Sequence, residues 1–225
     1  MNRNEKAARK KRARLEKRSS GQSTVIARVR PTVERAPTEG EKAVVVEEVR
    51  RAVSEELAGH GIDHLGGTCV YLAGVACGVL LALDPFERMA WRVRAGGAAI
   101  QTGAEDEHGP LGVGYDYASS LDEGGSGEFH AWVVGGDGPS TLVVDLTIGD
   151  FERLANQSSI AWNRTLPEYL WGDAASVEAQ GLWYGSHPVA TEEVEQALLL
   201  NTLWFVRATR RAIDACAARG ITRLF

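Results

Sequence analysis

From Cys69 to Leu83 the chain carries no charge, and Tyr71 is its one polar side chain. A helix that is apolar on every side belongs inside a core, so this stretch predicts a central buried helix. It is entered through Gly66-Gly67-Thr68, where two glycines allow positive φ and Thr68 can act as N-cap. Upstream, Glu41 to Ala58 places Val45, Val46, Val49, Ala52, Val53 and Leu57 at helical spacing, with Glu47, Glu48, Arg50, Arg51 and Glu55 mostly on the other face. Gly59 and Gly61 end that helix. Downstream, Asp84-Pro85 marks a turn, and Trp91–Arg94 and Ala98–Thr102 read as one or two strands. Residues 103–127, rich in Gly, Asp, Glu and Ser, predict a long surface loop that interrupts the sheet, either a rim over a groove or a disordered insertion.

Two further strands, 129–134 and 141–147, are joined by the turn formers Gly135 to Ser140. The segments 166–171 and 181–186 contribute another strand. Trp162, Trp171, Trp183 and Tyr184 there either line an apolar cleft or pack a sheet edge, packing being the commoner role. Thr191 is expected to cap a long helix from Glu192 to about Ala218, with Leu198, Leu199, Leu203, Phe205, Val206 and Ile213 on a wide apolar face. Helices and strands together predict an α+β class.

Charge divides the chain. Residues 1–36 hold twelve Lys/Arg against three Asp/Glu, a net of +9, and the remainder is at −14. The basic stretch, with Pro31 and Pro37, reads as a disordered tail over 1–38 ahead of a single domain over 39–225. Its bland role, a solvated tail, outweighs nucleic-acid contact because no aromatic residue interleaves the basic ones. Three cysteines are too few for a disulfide framework and suit a reducing, cytoplasmic compartment. The longest apolar run is short of the ~20 residues that cross a bilayer, so no membrane role is expected. His60 and His64 stand four apart, but Gly61 lies between them and no third ligand is near, so neither metal nor cofactor is expected.

Cys69 occupies the first turn of the predicted helix, where unpaired N–H groups and the dipole favour a thiolate. On that stretch alone a small buried hydrophobe is the commoner reading. Cys77 and Cys216 read as structural. The strand pair adds chemistry. With the turn centred between Asp137 and Gly138, His130 faces Asp145 across the ladder, within reach of an imidazole–carboxylate bond. An Asp among Leu142, Val143, Val144 and Leu146 is costly to bury without a partner. Cysteine, histidine and an orienting acid are what thiol acyl transfer requires.

Gly-Thr-Cys-Val-Tyr-Leu-Ala at the head of an apolar helix, then Phe-His-Ala-Trp-Val and Val-Val-Asp-Leu-Thr, resembles the transglutaminase-like superfamily of papain-fold cysteine enzymes over about residues 60–150. The resemblance implies a papain/transglutaminase-like fold, a central helix packed on an antiparallel sheet. It implies Cys69 as nucleophile, His130 as general base and acid, and Asp145 as orienter. The expected activity is acyl transfer from an amide or peptide bond through a thioester, as in a protease, deamidase or transglutaminase, on a peptide or protein substrate. The alternative is a non-catalytic binding module that keeps the fold.

Overall fold

The computed structural model describes residues 36–61, 68–117, 128–137 and 141–225. These residues lie in one unit, Thr32–Phe225. The basic tail up to residue 35, His64 and the Gly66-Gly67 pair lie outside the described residues.

Helix α1 spans Glu39–Ala58. It begins two residues earlier than its apolar periodicity indicates, because Thr38 and Glu41 form a capping box: the Thr38 hydroxyl accepts from the Glu41 N–H, and the Glu41 carboxylate accepts from the Thr38 N–H at 2.8 Å. Val45, Val46, Val49, Ala52, Val53 and Leu57 are buried as the spacing predicts, and so are Glu48 and Glu56. The two carboxylates are paid for by arginines: Glu48 pairs with Arg51 and Arg219, Glu56 with Arg207 and Arg211.

Helix α2, Cys69–Leu83, is the predicted central helix. Leu72, Val75, Val79, Leu80 and Leu83 are buried, while Leu81 is exposed. Thr68 departs from expectation. Its ψ of 23° takes it out of the extended conformation that aims an N-cap side chain at the first turn, and it makes no capping hydrogen bond. Two α2 glycines allow close approach by another helix. A Cβ at Gly74 would stand 2.5 Å from Leu198 Cδ2 and 2.7 Å from Phe205 Cε1, and one at Gly78 would stand 2.8 Å from Thr209 Cγ2.

The sheet is six-stranded and antiparallel in every pairing, ordered β2-β1-β3-β4-β5, with β6 also paired to β1. The strands are β1 Arg92–Asp106, β2 Gly109–Tyr115, β3 His130–Gly135, β4 Leu142–Asp145, β5 Leu170–Asp173 and β6 Leu182–Ser186. Between them stand two short helices, α3 Asp150–Gln157 and α4 Ala174–Ala179. The expected 103–127 loop is corrected over its first part: residues 103–106 continue β1 and 109–115 form β2. Ile100, Thr102 and Ala104 are buried while Gln101, Gly103 and Glu105 are exposed, an alternation of period two that the polar composition conceals. Residues 118–127 lie outside the described set.

The long C-terminal helix is also corrected. It starts at Pro188, with His187 as N-cap, and is divided into α5 Pro188–Leu200 and α6 Thr202–Ala218. Thr191 caps nothing; it is buried in the first turn, and its hydroxyl bonds both the N–H and the C=O of Ala95. The break falls at Asn201-Thr202, whose side chains bond the carbonyls of Ala197 and Leu199 and so compete with continuation of the helix.

Two cores follow from the strand alternation. On one face Val93, Ala95, Ala131, Val133 and Val144 meet α1, α2, α5 and α6. On the other, Ile100, Trp132, Val134, Val143 and Leu182 meet Phe151 and Ala155 of α3 and Val177 of α4. The architecture is therefore α+β, and all six residues of β3 are buried between the two layers.

Candidate active site

The hairpin of β3 and β4 sets the geometry. Val133 faces Val144 and Gly135 faces Leu142, so the ladder runs one residue further towards the turn than the sequence predicts. Extended along the strands, this register puts Asp145 opposite Trp132 and diagonal to His130, a correction to the direct pairing. The offset is two residues, so both side chains remain on one face, where diagonal neighbours are still within reach. His130 and Asp145 are 0% and 1% exposed, and His130 Nε2 stands 2.8 Å from Asp145 Oδ2.

Asp145 is filled on every acceptor position. Oδ2 takes His130 Nε2–H and, at 2.7 Å, the Tyr184 hydroxyl; Oδ1 takes the N–H and the hydroxyl of Thr147 at 2.8 and 2.9 Å. Burial works to raise this carboxyl, but the His130 charge and the hydrogen bonds from His130, Thr147 and Tyr184 hold it below the ordinary 3.8. Burial likewise works against the imidazolium. The Asp145 carboxylate, by charge and by hydrogen bond, and the Cys69 sulfur outweigh it and push His130 up to about 10. The two shifts run in opposite directions, and both favour the charged form of the pair.

The imidazole is boxed by rings. Tyr115 stacks on it with centroids 5.3 Å apart and planes 18° apart, Phe151 lies at 5.3 Å, and Tyr184 and Trp132 lie at 6.3 and 6.4 Å. With Nε2 committed to Asp145, Nδ1 is the free ring position. It is buried and completes no hydrogen bond of standard geometry, and Cys69 is near enough to the ring to influence it. Cys69, half-buried at the first position of α2, also acts on the Tyr115 hydroxyl, which burial, then the charges of Asp150 and Cys69, push up to about 12. Burial pushes both Cys77 and Cys216 up to about 11, and neither has an imidazole beside it.

The three residues singled out in the sequence, Cys69, His130 and Asp145, therefore stand in one neighbourhood. Neither Thr147 nor Tyr184 was anticipated as a donor to Asp145. Asp-Leu-Thr carries the signal for Thr147, since an Asp commonly accepts from the backbone two residues on. Nothing local marks Tyr184, which enters from β6 because Ala98 of β1 pairs both Tyr184 and Tyr115. Of the other aromatic residues, Trp171 is buried, Trp162 packs against the second core, and Trp183 is exposed. Trp183 borders a cleft of about 470 Å³ lined with Gly97, Ala99, Gly114, Tyr115 and Gly185. Among the described residues no cluster of three or more His, Cys, Asp or Glu could hold a metal ion, and no helix is long and apolar enough to cross a membrane.

No family model matches the chain, and no curated protein matches it. A crystal structure described only as a genomics target matches with a TM-score of 0.44 at 17% identity, over 75% of this chain and 77% of that one.

Proposed function

We propose that the protein is a cysteine-dependent acyl-transfer enzyme of the papain/transglutaminase-like kind, acting on an amide or peptide bond of a peptide or protein substrate. The observation that carries this reading is the buried His130–Asp145 pair, whose Nδ1 completes no hydrogen bond and whose ring is acted on by Cys69. The Cys69 thiolate attacks the carbonyl carbon, and the resulting oxyanion is met by the backbone N–H of Cys69 at the head of α2. His130, its proton on Nδ1, passes that proton to the departing amine as the C–N bond breaks, leaving a thioester. Neutral His130 then takes a proton from the attacking water or amine, and the thiolate leaves. Asp145 keeps Nε2 protonated throughout, so Nδ1 alone changes state.

The test needs no substrate. Iodoacetamide is expected to alkylate Cys69 of the intact protein at pH 6 at least about tenfold faster than a cysteine in a short peptide, as an imidazole-partnered catalytic cysteine does. His130→Ala is expected to remove the advantage, and Cys69→Ala to remove the labelled site. A wild-type rate equal to that of the peptide, unchanged by His130→Ala, overturns the enzyme reading and favours a binding module with the same fold.

A further inference from the structure

The Tyr184 hydroxyl and the His130 ring share one oxygen of Asp145, and the mechanism above uses only one of the two contacts. Oδ2 lies 2.8 Å from His130 Nε2 and 2.7 Å from the Tyr184 hydroxyl, while Oδ1 is saturated by Thr147. A carboxylate has about four lone-pair positions, so Asp145 has no place left for water or for rotation. The Tyr184 ring is fixed in turn: it packs on Trp132 with centroids 5.0 Å apart, and its backbone is paired to Ala98. A phenol can hydrogen-bond to any acceptor within its reach. This one is directed at the single oxygen that orients the histidine.

We propose that Tyr184 is a positioning residue, which fixes the Asp145 carboxylate against His130. This inference rests on the function proposed above. A donor to a carboxylate favours its charged form, and the carboxyl is held down by Tyr184 in concert with His130 and Thr147. The groups facing the pair are Cys69 from α2, Tyr115 from β2 and Tyr184 from β6; Asp150 and Arg153 of α3 act on Tyr115. Burial and the nearby Asp145 charge hold the Tyr184 phenol well above 10, so it remains a neutral donor over the whole working range.

The experiment is the pH profile of Cys69 alkylation by iodoacetamide in wild type and in Tyr184→Phe, which keeps the ring on Trp132 and deletes only the hydroxyl. The acid limb, below which alkylation fails, is expected to move up by about one pH unit, a tenfold loss of rate well below the limb. A merely structural phenol would lower the melting temperature and leave the limb in place; that result overturns the proposal while leaving the function standing. A wild-type profile without a reactive plateau below neutrality overturns both. Should Tyr184→Phe not fold, wild-type protein with 3,5-difluorotyrosine at its tyrosines carries a stronger donor. Its acid limb is then expected to move down, and an unmoved limb overturns the proposal.

Discussion

Replacing Asp145 by alanine tests the electrostatic core of the site through stability alone. The side chain accepts four hydrogen bonds of 2.7 to 2.9 Å from His130, Tyr184 and Thr147, all in a neighbourhood with almost no solvent. A buried donor left unsatisfied costs about 1–3 kcal/mol. The Thr147 and Tyr184 hydroxyls can turn and water can enter the vacated space, so the four losses do not add in full. Breaking a buried ion pair by removing one partner sets the scale at about 3–5 kcal/mol, a large share of the ~5–15 kcal/mol that holds a domain together. The loss has a pH window. The folded Asp145 carboxyl lies below the ordinary 3.8, so its contribution is complete above that value and fades as the pH falls beneath it. His130 is raised from 6.5 to about 10, so its contribution is complete below 6.5 and fades as the pH rises through about 10. The difference between wild type and Asp145→Ala is therefore expected to be greatest from pH 4 to 6.5 and to narrow towards pH 10. Urea unfolding followed by tryptophan fluorescence at pH 5, 6 and 9 measures it. A loss below about 1 kcal/mol at pH 6, or one that is the same at pH 6 and pH 9, refutes the reasoning.

Thr38→Ala removes the capping hydroxyl of α1 and is expected to cost about 1 kcal/mol by urea titration, with no change in Cys69 alkylation. Gly135→Ala puts a Cβ 2.5 Å from two Trp91 ring atoms, and that ring is held from another side by Phe225 at 5.5 Å; overpacking of about 1–3 kcal/mol is expected, read as a lower melting temperature. Glu48→Gln removes a buried charge shared by Arg51 and Arg219. Because Glu48 is held below its ordinary 4.5, with burial outweighed by those two arginines, the variant is expected to be less stable than wild type at pH 7 and to approach it at pH 3. Leu200→Lys, at a side chain 86% exposed, is expected to change stability by less than about 0.5 kcal/mol in the same melts.

The helices were legible where burial is one-sided or complete. Valines at helical spacing give α1, and the uncharged run gives α2, because solvent exclusion writes itself into every turn of a helix. The sequence is less explicit where side chains compete with the backbone. Asn201 and Thr202 sit inside an unbroken apolar pattern, yet each bonds a carbonyl of the preceding turn and the helix divides there. Pro188, suited to a first helical position, begins α5, although the sequence reading started the helix after Thr191, which looked like a cap and proves to be an anchor for Ala95. The β1–β2 hairpin was hidden for a different reason. One face of it is open to solvent and glycine-rich, so its alternation runs between small buried residues and polar exposed ones, with little contrast in hydropathy.

The site illustrates how much a register argument can bear. The predicted turn centre was one residue off, which moves each partner by two positions and so preserves the face; an error of one position would have sent Asp145 into the opposite core. His130 and Asp145 meet along the diagonal instead of directly across, and Oδ2 accepts from a second donor as well. That donor, Tyr184, lies thirty-nine residues beyond Asp145 in the chain and arrives through a strand that pairs with β1, not with β4. No spacing rule within one hairpin could have found it. A pair read from local alternation was therefore recoverable, and the residue that completes the carboxylate's coordination depends on the order of the strands, a property of the whole sheet.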